Sequence, residues 1–103
     1  MNVSLSVFAR SDRIVGRRIG GEYLLVPLAG RGADLDSILN LNRVGAFIWE
    51  HLDGRRTGDE VVHALVARFD VDRPRASRDY SEFLEQLREL RAVVPVEEGP
   101  SFR

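Results

Sequence analysis

The sequence contains no cysteine and no lysine. Lacking cysteine, it has no disulfide, no thiolate nucleophile, no iron–sulfur ligation and no cysteine-based zinc site. Lacking lysine, it has no Schiff-base chemistry and no phosphate-binding lysine of the Walker type. All 15 basic residues are arginine, set against 16 acidic residues for a net charge of −1. Before Gly54 there are 6 arginines and 6 acids; from Gly54 onward there are 9 arginines and 10 acids. Neither half is basic, which argues against a nucleic-acid partner. No run approaches the 18 or so apolar residues of a membrane-spanning helix, so no membrane partner is expected. The first eight residues lack both the basic region and the apolar stretch of a secretory signal, and a cytoplasmic domain is the expectation. A chain of 103 residues holds one core and one domain.

What is present divides into strands followed by helices. Ile14-Val15-Gly16-Arg17-Arg18-Ile19 alternates roughly and stops at Gly20-Gly21, a hairpin signal. Residues 22–28 are rich in strand formers, and Pro27 suggests an edge position or the strand's end. Residues 29–34 form a glycine-containing loop, and residues 35–41 form a third strand with Leu35, Leu39 and Leu41 on one face. Such a sheet needs a helical layer to cover it. Asn42 caps a helix carrying Val44, Phe47 and Ile48, which Gly54 ends in a left-handed position. Thr57-Gly58-Asp59-Glu60 is a capping box, followed by a stripe of Val61, Val62, Leu65, Val66 and Phe69. Residues 70–76 form a connector containing Pro74. Ser77 then caps a third helix whose apolar face is Tyr80, Phe83, Leu84, Leu87 and Leu90. The opposite face, with Arg78, Glu82, Glu85, Arg88 and Glu89, is spaced for ion pairs at i,i+3 or i,i+4. The reading is an α+β fold, a three-stranded antiparallel sheet followed by three helices. Residues 1–13 form an N-terminal extension, 14–94 the domain and 95–103 a tail.

No active site can be assembled from these residues. His51 and His63 lie on different elements without the spacing of paired metal ligands, so both read as structural or exposed and no metal is expected. Asp34 and Asp36 flank Leu35 as two carboxylates without a nucleophile beside them. Gly30-Arg31-Gly32 does not open a helix and is too short to cradle a phosphate. The expectation is a protein that is not an enzyme and carries no cofactor. Trp49 suits a packed core, or an exposed recognition surface. If the third strand is an edge, its unpaired amides and carbonyls suit the addition of an extended peptide, with the third helix as the opposite wall.

Residues 39–54, LNLNRVGAFIWEHLDG, resemble the central motif of the PqqD family, with Leu39-Asn40, Gly45-Ala46, Ile48-Trp49-Glu50 and Leu52-Asp53-Gly54 in the family's order. The likeness continues through Thr57, Glu60, Leu65, Phe69-Asp70-Val71, Asp79, Phe83-Leu84 and Leu87, and reaches back to Glu22-Tyr23-Leu24-Leu25, covering about residues 14–94. The family includes the pyrroloquinoline-quinone biosynthesis protein D and related recognition elements of ribosomally synthesised, modified peptides. The resemblance implies a winged-helix-turn-helix-like domain. It implies a non-catalytic chaperone that binds the leader segment of a precursor peptide by strand addition. The partner to which the peptide is presented would be a radical S-adenosylmethionine enzyme or a leader peptidase.

On this chain the implied groove runs between Asp36, Ser37, Ile38, Leu39 and Asn40 and the helix from Arg78 to about Leu90. Backbone groups of Ser37, Ile38 and Leu39 would pair with the leader. Tyr80, Phe83 and Leu87 would wall the groove, although the same three suit the core. Arg78, Glu82 and Arg91 would read charge at the rim. One departure stands out: Arg91-Ala92 occupies the place where the family commonly has glycine, which leaves the end of the third helix open. Two other classes fit the same elements. A DNA-binding winged helix would have to use residues 59–69, which carry two acids against one arginine; a scaffold subunit would keep the fold without binding peptide. An exposed edge strand also suits a homodimer.

Overall fold

The computed structural model describes residues 6–28 and 38–96. The element order is β1 (Val7–Arg10), β2 (Ile14–Ile19), β3 (Glu22–Pro27), β4 (Leu39–Leu41), α1 (Arg43–Glu50), β5 (Asp53–Thr57), α2 (Gly58–Phe69), α3 (Arg73–Glu89) and β6 (Val93–Val96). The expected hairpin is present: Ile19 pairs with Glu22 across Gly20-Gly21. Gly20 has φ +63°, the positive value that the first position of a type II′ loop requires. β4 pairs antiparallel with β3 through Tyr23–Leu41, Leu24–Asn40 and Leu25–Leu39, so the sheet order is β2-β3-β4. Pro27 therefore marks a strand end and not an edge, because β3 lies in the middle. Of the strand read at 35–41, residues 35–37 lie outside the described residues, as do the loop at 29–34 and the tail from residue 97.

The single sheet expected from the sequence is one of two. A second three-stranded antiparallel sheet, ordered β5-β1-β6, is built from segments read as extension, helix end and chain end. β1 is its middle strand and carries Phe8, 1% exposed, into the core. β5, Asp-Gly-Arg-Arg-Thr, has no apolar alternation to announce a strand. Between the pairs Val7–Thr57 and Ala9–Asp53, β1 advances two residues while β5 advances four. Gly54, at φ +81°, absorbs that irregularity. It does not cap α1, which ends at Glu50 with His51 as its C-cap. The Asp53 carboxylate accepts from the Arg55 and Arg56 amides at 3.0 and 3.2 Å and from the Arg56 guanidinium at 2.7 Å. Burial opposes its ionisation, yet these donors hold Asp53 below the ordinary carboxylate range.

The helix starts follow the side chains that satisfy their first amides. Asn42 Oδ1 accepts from Gly45 N at 2.8 Å. The Thr57–Glu60 capping box forms in both directions, at 3.2 and 2.8 Å. α3 starts earlier than Ser77: Asp72 caps it by accepting from Arg75 N at 3.0 Å, with Pro74 in the first turn. Proline is well placed there because those first amides have no helical partner in any case. The core collects Phe8, Leu25, Ile48, Leu52, Val61, Leu65, Tyr80, Leu84 and Leu87 from both sheets and all three helices. Trp49 belongs to it at 3% exposure. The packing is close enough that a Cβ at Gly16 would lie 2.7 Å from the Tyr23 hydroxyl and 2.8 Å from Trp49 Nε1. Trp49 is thus a core residue and not a recognition surface.

Candidate functional site

β4 is the outer strand of its sheet among the described residues, paired on β3's side alone. In an antiparallel edge strand, alternate residues turn both N–H and C=O outward. Directly after this strand the chain enters α1, and α3 lies across from its first turn. Between them runs a groove of about 490 Å³. Its α1 side is Asn42, Val44, Gly45 and Ile48; its α3 side is Arg75, Asp79, Glu82, Phe83 and Gln86. The α3 residues recur at three- and four-residue steps, one stripe of the helix surface.

Gly45 sets the width of this groove. A Cβ there would stand 3.6 Å from Phe83 Cε1, 3.5 Å from Leu41 Cβ and 3.3 Å from the Asn42 cap oxygen. Without that Cβ, the half-buried Phe83 ring approaches the α1 backbone and leaves a shallow apolar floor with Val44 and Ile48. The rim is acidic on balance. Arg75 and Asp79 form an exposed ion pair at 3.5 Å, and among the described residues Glu82 has no cation within ion-pair distance. None of Arg78, Glu85, Arg88 or Glu89 forms an ion pair among the described residues, so the pairing expected along that face is replaced by the single Arg75–Asp79 contact.

The residues picked out from the sequence fall into four groups. Leu39 and Asn40 lie on β4, with Ile38 just before it at 37% exposure; Glu82 and Phe83 line the groove. Tyr80 and Leu87, at 2% and 0% exposure, face the core and not the groove, and burial pushes the Tyr80 hydroxyl up to about 12. Arg78 and Arg91 are exposed but do not line the groove. Asp36 and Ser37 lie outside the described residues. The sequence reading gave Asn42, Val44, Gly45, Asp79 and Gln86 no part in the groove that they line. The signal was available in Asn42 and Gly45: a capping residue followed three positions later by a glycine inside a helix, where glycine costs about 1 kcal/mol unless close approach requires it.

The two histidines lie on separate elements. His51 stacks on Phe47 with centroids 4.0 Å apart and donates from Nδ1 to the Phe47 carbonyl at 2.8 Å, while His63 is exposed on α2. Among the described residues no three His, Asp or Glu side chains are grouped to hold a metal. No described helix is long and apolar enough to cross a membrane.

The chain is similar to known proteins over most of its length. The sequence profile of the family described as "Coenzyme PQQ synthesis protein D (PqqD)" matches residues 23–93. A solved structure of TbiB1 in complex with the TbiA(beta) leader peptide is 30% identical, covers 82% of this chain and 93% of its own, and superposes with a TM-score of 0.67. A lasso peptide synthetase B1 complexed with its leader peptide is 23% identical, with 85% and 98% coverage and a TM-score of 0.70, and shows the same fold. No curated protein sequence matches the chain.

Proposed function

The chain belongs to the PqqD family, and on that premise we propose that it binds the leader segment of a ribosomally synthesised precursor peptide as a non-catalytic chaperone. The leader adds to the outer edge of β4, lays its inward side chains on Val44, Ile48 and Phe83, and is presented to a maturation enzyme, either a radical S-adenosylmethionine enzyme or a leader peptidase. One observation carries the reading: β4, whose outer edge has no partner among the described residues, leads directly into a groove closed by α3. Backbone pairing supplies affinity with little sequence preference, and the groove supplies the preference. The acidic rim favours a leader with a basic residue opposite Glu82. The succession of an antiparallel hairpin and three helices along the chain supports a winged-helix description.

The test is a titration with the leader of the precursor encoded beside this chain, followed by amide shifts. Shifts are expected in β4, the first turn of α1 and the groove stripe of α3. A parallel scan with leaders N-methylated at single positions is expected to weaken binding at every second residue, because a strand turns its amides to alternate edges. Shifts confined to other elements, or a scan without that period, would refute strand addition at β4.

A further inference from the structure

α1 has a second working face. The groove uses Val44, Gly45 and Ile48; the opposite side, Arg43, Ala46, Phe47 and Glu50, forms one wall of a separate notch of about 190 Å³, with no lining residue in common. Arg18 on β2 and Arg68 and Phe69 on α2 complete it. Three arginines from three elements therefore border a notch that also holds the rings of Phe47 and Phe69. Arg68 Cζ lies 5.0 Å and Arg43 Cζ 5.7 Å from the Phe69 ring centroid, while Arg18 stacks on Tyr23 at 5.1 Å. Phe69 meets Phe47 edge-on at 5.4 Å.

None of the three guanidinium groups has a carboxylate within ion-pair distance among the described residues, although the chain elsewhere pairs Arg56, Arg73 and Arg75 with aspartates. Glu50 is the one acid lining the notch, so three arginines face one carboxylate, an excess of two positive charges. A guanidinium lying over a ring is held by that ring face and keeps its in-plane N–H edge free, the edge that grips a carboxylate with two parallel hydrogen bonds. We propose that this notch is a second docking site, distinct from the leader groove, for an acidic segment of a protein partner. It takes an aspartate or glutamate side chain against Arg43 and Arg68, with an adjacent apolar residue packed on Phe47 and Phe69. A nucleic acid suits it less well, because a phosphate backbone needs a longer run of cations than three, and Glu50 and the two rings interrupt the row. Since the two sites lie on opposite faces of α1, a leader and a second protein fit on the domain together.

The experiment uses the full chain and a defined probe, the blocked tetrapeptide acetyl-Phe-Glu-Asp-Leu-amide, beside its glutamine/asparagine counterpart and a short DNA duplex. The readout is the Nε–H resonances of Arg18, Arg43 and Arg68. Saturable shifts of all three with the acidic peptide are expected below about 5 mM, at least about tenfold weaker with the neutral peptide; in the R43Q/R68Q double variant, whose amide spectrum stays dispersed, the remaining Arg18 resonance is expected to show no saturable shift. An equal response to both peptides, no saturable response, or preferential shifts with the duplex would each overturn the proposal. Leader binding is read at β4 and α3, so its loss and the loss of this site are separately visible.

Discussion

Arg91 has φ +58°, a region where a residue bearing a Cβ is strained by about 1 kcal/mol. The reason lies one position on. Ala92 N donates to the Leu87 carbonyl at 2.8 Å and Arg91 N to the Arg88 carbonyl at 3.0 Å, the two bonds that close a helix through a left-handed residue after its C-cap, here Leu90. The sequence reading left the end of α3 open because glycine was missing; the motif forms without it. Arg91→Gly is expected to raise stability by about 1 kcal/mol in urea denaturation. It should leave leader affinity unchanged, since Arg91 lies beyond the groove lining. Tyr80 gives the residue scale its pH dependence. Burial raises its hydroxyl from 10.0 to about 12, so the unfolded chain ionises first as pH rises. Stability contributed by the neutral phenol is complete below the unfolded value and is lost between about pH 10 and 12, by about 2 to 3 kcal/mol. Tyr80→Phe is expected to flatten that part of a stability–pH curve; an unchanged curve would assign the loss to another group, with Tyr23, also raised by burial and then by Glu50, the next to test.

At the scale of elements, the distance between α1 and α3 determines what the groove admits. Gly45→Leu places a side chain between Leu41 and Phe83 while improving the helix's own preference by up to about 1 kcal/mol. The expected result is a folded protein with circular dichroism like the parent and leader binding reduced by more than about tenfold. Phe83→Ala acts in the opposite way, removing a wall. It should weaken the leader by at least about tenfold, with a stability loss of about 1 to 2 kcal/mol because the ring is only half-buried. These two positions also show what the sequence disclosed and what it concealed. Capping boxes and hairpin glycines are local chemistry, and the Thr57–Glu60 box, the Asn42 cap and the Gly20 turn were all legible. β5 was not legible, because Asp-Gly-Arg-Arg forms a strand only when β1 lies beside it, and propensity yields to tertiary pairing there. The start of α3 was misplaced because two residues, Asp72 and Ser77, both make good caps and Pro74 reads as a breaker until it is seen in a first turn. Of the groove residues that the family resemblance implied, Glu82 and Phe83 line the groove and Leu39 and Asn40 lie on β4. Tyr80 and Leu87 share the periodicity of α3 but turn about 100° per residue toward the core, a difference that only the packing direction of α3 decides.

On the scale of the molecule, the two sheets divide their tasks. β2-β3-β4 presents the edge, whereas β5-β1-β6 ties the ends of the described chain together and anchors α3 through β6, which follows it after the Arg91 turn. β1 is central to that second sheet: it pairs with β5 and β6, Phe8 is 1% exposed, and Arg88 of α3 reaches over the Phe8 ring at 5.9 Å. A strand read as an extension is therefore part of the framework that holds the far wall of the groove. Phe8→Ala is expected to cost about 3 to 5 kcal/mol, a large share of the roughly 5 to 15 kcal/mol available to a domain of this size. The groove itself touches neither Phe8 nor β1, so the consequence for binding is indirect and has its own signature. In urea titrations the midpoint falls sharply, while leader affinity measured where the variant is still folded stays within about threefold of the parent, because truncation at a distance exceeding direct contact adds little to the binding free energy. A variant that kept its stability would place Phe8 outside the core. One that stayed folded but lost the leader would mean that β1 positions α3 directly, and the second sheet would then belong to the binding machinery as well as to the scaffold.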